Sequence, residues 1–205
     1  MNVKPLVVGL LGACWLLTGS EIQAAPRPNI IFIFTDDQAP WALGLSGHPH
    51  AQTPVLDRFF REGAWLKNCF TTTPVCSPSR AALMTGRYGT ELGITDWLHP
   101  RREALHGLQP GTVTWPRLLQ RAGYRTALVG KWHLGLQDRH HPTRFGYEHF
   151  YGFRSGGNRP SNAVLEVSGR DRRVPGLLPD VLVDESIRWM TRDDQRPFLL
   201  SLHFR

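Results

Sequence analysis

The sequence predicts an α/β domain with a mostly parallel central sheet. Three observations carry this. Short, continuous apolar runs recur at Asn29–Thr35 (NIIFIFT), Tyr124–Gly130 (YRTALVG) and Pro197–Phe204 (PFLLSLHF), as expected of strands covered on both faces. Segments with helix start and stop signals stand between them. The length, 205 residues, suits one such domain or part of a larger one.

The elements follow in order. NIIFIFT, rich in Ile and Phe, reads as a buried parallel strand. TPVLDRFFREG reads as a helix, with Thr53 as N-cap, Pro54 in the first turn and Gly63 as stop. Leu56, Phe59 and Phe60 make its apolar face. SPSRAALMTG is a second, short helix ended by Gly86. TWPRLLQRAG is a third, capped by Thr114 and ended by Gly123. YRTALVG is the second strand, Asp180 to Thr191 the fourth helix, and PFLLSLHF the third strand. Between Leu136 and Pro179 the chain is rich in Gly, Arg, Pro and His, and reads as a long functional loop or insertion. The sequence stops directly after a strand, which predicts the N-terminal part of a longer protein. There is no internal repeat and no low-complexity tract.

Residues 1–25 have the pattern of a secretory signal peptide: basic Met1 to Lys4, apolar Pro5 to Leu17, and small residues near Ala24 and Ala25. The apolar run is shorter than the ~20 residues of a spanning helix, so no stable membrane span is expected. The protein is expected to be exported, periplasmic or secreted. Lipid anchoring at Cys14, in LGAC, ranks second because apolar residues continue after it.

The net charge is +7, with arginine well in excess of lysine. The arginines are scattered, so a nucleic-acid stripe is not indicated. A mild preference for anionic substrates is. No Asn-x-Ser/Thr acceptor occurs. Once Cys14 leaves with the leader, Cys69 and Cys76 remain, too few for a disulfide framework. A bond between them is the plain alternative for an exported chain.

Asp36 and Asp37 follow the first strand at once. Ligands of open α/β sheets bind beyond the carboxyl ends of the strands. Adjacent residues of a straight strand point to opposite faces, so both carboxylates reach one centre only if the chain turns. A hard divalent ion, Ca²⁺ or less favourably Mg²⁺, suits such a pair; a solvated turn is the plain reading of Asp-Asp alone. Cys76 lies at a helix N-terminus, where free N–H groups favour anions. Arg80 is one turn on. GKWHLG puts Lys131 and His133 after the second strand. A metal, a nucleophile position and three groups for an oxyanion make a kit for displacement at a tetrahedral anionic centre.

Cys76-Ser77-Pro78-Ser79-Arg80 matches the Cys-x-Pro-x-Arg signature of the formylglycine-dependent sulfatases, within the alkaline phosphatase superfamily. AALMTGRYG continues that signature. GKWHLG and FIFTDDQ are similar to the family's second signature and first metal-binding strand. TPVLDRFFREG, LLQRAGYRTALVGKWHLG and FGYEHFYGF also resemble sulfatase segments, from Pro28 onward.

The resemblance implies an alkaline-phosphatase-like α/β/α sandwich, incomplete here, with residues 26–205 as the N-terminal part of the catalytic domain. It implies that a formylglycine-generating enzyme oxidises Cys76 to an aldehyde, whose hydrate attacks sulfur. Asp36, Asp37 and the modified Cys76 would hold Ca²⁺. Arg80 would orient the diol, Lys131 bind the sulfate and His133 meet the spare hydroxyl. The substrate would be a sulfated small molecule or glycan. Further metal ligands, a second His and a later Lys are expected beyond Arg205, with His203 read as structural.

Alternatives are a phosphonate monoester or phosphodiester hydrolase on the same fold, an inactive sulfated-glycan-binding domain, and a non-enzyme with a Cys69–Cys76 disulfide. Cys69 is expected to pack beneath the active loop. His48, His50 and the His140-His141 pair are expected on solvated loops. Asn158 and Arg159 are candidate substrate contacts.

Overall fold

A computed structural model describes residues 27–205; the leader and Cys14 lie outside the described residues. The chain forms β1 (Ile30–Phe34), α1 (Pro54–Glu62), α2 (Cys76–Thr85), α3 (Trp115–Arg121), β2 (Arg125–Lys131), β3 (His149–Phe153), β4 (Val164–Val167), β5 (Arg170–Arg173), α4 (Leu178–Met190) and β6 (Phe198–His203). One six-stranded sheet has the order β1-β6-β2-β3-β4-β5. The first four are parallel, and β4 and β5 pair antiparallel at one edge.

Central β2 is buried along its whole length, as its continuous apolar run requires. Its side chains alternate between two cores. Leu128 joins Ala81, Met84, Trp132, Phe145, Tyr147 and Leu199 on the side of α2 and α3. Ala127 and Val129 join Leu182, Trp189, Leu200 and Leu202 beneath α4. Each fully buried leucine contributes roughly 1.5–3 kcal/mol, so both helical layers are held by the sheet.

Several expectations need correction. The Leu136–Pro179 segment is not a loop: β3 extends the parallel sheet, and β4 and β5 form a hairpin on it. The strand at β1 is not covered on both faces; it is an edge strand, with Ile31 and Ile33 more than half exposed. On α1, Leu56 and Phe59 are exposed. The residue facing inward is Asp57, which accepts bonds from Thr53 Oγ1 at 2.8 Å and from the Leu45 N–H at 3.1 Å. Thr53 and Thr114 make no side-chain cap; Thr114 Oγ1 donates instead to the Phe145 carbonyl. α4 starts at Leu178, two residues before expected, because the Leu178 N–H bonds the Pro160 carbonyl and Pro179 suits a first turn. No helix among the described residues is long and apolar enough to cross a membrane.

Candidate active site

Three parallel strands stop at one edge. Asp36 and Asp37 follow β1, Lys131 ends β2 and His203 ends β6. Helix α2 is pinned beside them: Ser77 Oγ accepts a bond from the Leu98 N–H at 3.0 Å. Extended Val75 feeds Cys76 into the first helical position, where backbone N–H groups lack intrahelical partners.

The turn required at the paired carboxylates is present. Asp37 has φ 52°, in the left-handed region. Asp36 and Asp37 line a cavity of about 290 Å³ with Cys76 and Arg80. An adjoining cavity of about 400 Å³ shares Asp36, Asp37 and Cys76 and adds Lys131, Trp97 and Gly156. His133 is also left-handed, at φ 58°. Such residues cost on the order of 1–3 kcal/mol each and cluster at functional sites.

Two buried cations share one carboxylate. Arg80 Nη2 donates to Asp36 Oδ2 at 2.9 Å, and Lys131 Nζ lies 2.8 Å from the same oxygen. Arg80 Nη1 donates to the Lys131 carbonyl at 2.9 Å, and the guanidinium lies over the Phe34 ring. Burial alone would raise the Asp36 carboxyl, but the bonds and charges of Lys131 and Arg80 outweigh it and hold it below the usual range. Burial also lowers Arg80, against the pull of Asp36, yet a guanidinium stays charged in proteins. Asp37 sits exposed at the rim. The interior thus has a positive excess that an anionic ligand neutralises.

His133 is buried, with Nε2 3.1 Å from the Leu98 carbonyl and Nδ1 unpartnered. Burial pushes it down to about 4, with the Lys131 and Arg80 charges adding and the Leu98 bond opposing. The ring is therefore neutral at neutral pH. A bond to a carbonyl requires hydrogen on Nε2, which leaves Nδ1 as a free acceptor. His133 lines neither cavity, and nor does His203. Its Nδ1 lies 3.2 Å from the Lys131 carbonyl and 3.3 Å from Arg80 Nη1, so it braces the cations from behind.

Asp36 and Asp37 offer the hard oxygen donors that Ca²⁺ or Mg²⁺ takes, on one cavity. Among the described residues, no cluster of three or more His, Cys, Asp or Glu side chains is arranged to hold a metal. The two carboxylates fit a divalent ion by donor type, but supply only part of a calcium shell of about six to eight oxygens, and Asp36 Oδ2 already meets Arg80 and Lys131.

Other expected residues fall elsewhere. Cys69 and Cys76 are both free thiols. Cys69 is exposed rather than packed, on an apolar cleft with Phe70 and Tyr88. His140 and His141 are not on a solvated loop. His140 is 1% exposed, its Nδ1 2.8 Å from the Leu108 carbonyl, and its own carbonyl accepts from Trp132 Nε1. His141 Nε2 lies 2.9 Å from Glu166. Together they clamp the loop after His133. Asn158 binds the Val164 carbonyl, and neither it nor Arg159 lines the two cavities. His48 and His50 stay on an exposed loop beside Trp41. Sequence reasoning missed Trp97 and Gly156. A β-carbon on Gly156 would lie 2.4 Å from the His133 ring, a closeness that only tertiary packing creates.

Residues 28–205 match the Sulfatase family. The chain is 32% identical to the N-acetylglucosamine-6-O-sulfatase of Bacteroides thetaiotaomicron over 203 residues, 97% of this chain and 33% of that protein. It is 44% identical to the steryl-sulfatase of Mus musculus over 167 residues, 73% of this chain and 26% of that protein. The crystal structure of Ps i-CgsB in complex with k-i-k-neocarrahexaose has a TM-score of 0.83 at 28% identity, covering 88% of this chain and 45% of that one. The chain thus spans about a quarter to a third of the curated relatives' length. Helices on both faces of a mostly parallel sheet, in a chain like these, make the fold an alkaline-phosphatase-like sandwich. Its sequence and its fold agree, and the chain belongs to the sulfatase family.

Proposed function

We propose that the protein is a sulfuric ester hydrolase for a sulfated sugar or aryl sulfate, with Cys76 matured to formylglycine as its nucleophile. One observation carries this reading: Cys76 opens α2 on the same cavity as Asp36, Asp37 and Arg80. A nucleophile there faces free N–H groups and two buried cations, which favour a tetrahedral anion. The relatives support the substrate class, since one is an N-acetylglucosamine-6-O-sulfatase and one was crystallised in complex with k-i-k-neocarrahexaose.

Each residue has a role. Arg80, locked by Asp36 and the Lys131 carbonyl, holds an oxygen of the modified Cys76. Lys131 takes a sulfate oxygen. His133, neutral with Nδ1 free, accepts a proton from the nucleophile's second hydroxyl. Asp36 and Asp37 would hold Ca²⁺, which would supply Lewis-acid stabilisation of charge on the sulfate oxygens. Residues 26–205 are the N-terminal part of the catalytic domain. Residues 1–25 export the chain to the periplasm or beyond, and a formylglycine-generating enzyme is its partner in maturation.

The test is turnover by the full-length protein of an aryl sulfate against an aryl phosphonate. The reading expects the sulfate to be preferred. It also expects Lys131→Ala to raise the barrier by about 2–4 kcal/mol, the scale for losing one preorganised charge. Preference for the phosphonate assigns the site to phosphonate or phosphodiester hydrolysis. Binding without turnover makes it a glycan-binding domain.

A further inference from the structure

The arginines gather at a second place. The chain has 21 arginines and 3 lysines. Four of the arginines, Arg172, Arg173, Arg188 and Arg192, line one cleft of about 370 Å³ between β5 and α4. The cleft lies against His149 and Tyr151, in the amino-terminal part of β3. The Cys76 site lies past the carboxyl ends of the parallel strands, and the cleft shares no residue with its two cavities.

The charge in the cleft is only partly compensated. Its one carboxylate, Glu185, is buried, pairs with Arg188, lies 3.1 Å from His149 and stands 4.0 Å from Arg192. Burial holds His149 below its ordinary range, against the pull of Glu185. Among the described residues, no carboxylate lies within 4.0 Å of Arg172 or Arg173, and all of β5 is exposed. Four guanidiniums against one carboxylate leave three positive charges. Asp171 and Asp184 lie nearby in sequence but do not line the cleft. Exposed Pro175 gives it an apolar wall, with the edge of buried Tyr151 beneath.

We propose that this cleft is a second binding site, which holds the sulfated chain of a glycan away from the point of cleavage. A guanidinium fork meets two oxygens of a sulfate ester or carboxylate at once. The apolar face of a sugar ring can lie on the exposed ring of Pro175. Holding the polymer here would raise the local concentration of its esters at the Cys76 site. The choice of a sulfated glycan rests on the hydrolase reading above; the charge and shape of the cleft do not.

The experiment compares the full-length protein with its Arg172→Ala/Arg173→Ala/Arg192→Ala variant. Binding of a heparin hexasaccharide, its desulfated form and a DNA oligonucleotide of equal charge is measured alongside turnover of a small aryl sulfate. The proposal expects heparin binding to weaken at least about tenfold, the loss of one or two charge-assisted bonds, while aryl sulfate turnover and the melting temperature stay unchanged. Unchanged heparin affinity in the variant, equal affinity for the desulfated sugar, or tighter binding of DNA through the same arginines overturns it. Failure of the parent protein to turn over aryl sulfate, with heparin binding still lost in the variant, removes the hydrolase reading and leaves an anionic-glycan site.

Discussion

Lys131 Nζ lies 2.8 Å from Asp36 Oδ2, the same oxygen that receives Arg80 Nη2 at 2.9 Å. One carboxylate thus balances two cations that are almost fully buried. Asp36→Asn removes that balance and leaves both cations unpaired. It is expected to cost about 3–5 kcal/mol, the usual result of removing one partner from a buried pair. Asp37→Asn, exposed and left-handed where Asn is tolerated, is expected within about 0.5 kcal/mol of the parent. Urea denaturation of the two variants checks the contrast.

Asp37 should instead matter for the ion. Calcium titrated into the chain is expected to raise its melting temperature, with an affinity of about 10⁻⁴–10⁻³ M as befits a partial shell. Asp37→Ala is expected to abolish the effect. A calcium response that survives this substitution would place the ion elsewhere.

The buried histidines predict acid sensitivity. Burial and the Arg80 charge push His203 down to about 3, against the Lys131 carbonyl. The unfolded state binds this proton near 6.5, whereas the folded state refuses it until about 3. Stability is therefore complete above about pH 6.5 and falls as pH drops toward 3. His203→Gln keeps a donor for the Lys131 carbonyl but cannot titrate, so its stability should fall less between pH 6.5 and 4. Parallel pH profiles from urea melts would contradict this.

Gly156 packs against the ring of His133. Gly156→Ala is expected to displace the imidazole and slow aryl sulfate turnover about 10- to 100-fold, the range for misplacing a reacting group. The fold, anchored in cores on either side of β2, should change little. The kcat of the variant set beside its melting temperature tests the separation.

What the sequence disclosed depended on how local the signal was. β2 and β6 were legible because burial on both faces leaves an unbroken apolar run. The placing of Cys76 beside Arg80 and Lys131 was legible because short signatures fix their order at a helix start and a strand end; His133 follows in the same signature but lines neither cavity. The β4–β5 hairpin was not legible, because RDRR carries no apolar alternation and is a strand only by pairing with VLEV. Its signal was the Ser168-Gly169 turn, both residues left-handed in the structure. The burial of His140 depends on Trp132 and Leu108, distant in sequence or invisible as partners, and no local pattern encodes it. His203 was read as structural from its position, and its contacts with Arg80 and Lys131 are those of a brace.

The most direct measurement is the mass of the Cys76 peptide from protein recovered from its native host. The account predicts a residue lighter than cysteine by about 18 Da, the change from thiol to aldehyde at the nucleophile position. A Cys76 found wholly as free thiol, or bridged to Cys69, would contradict it.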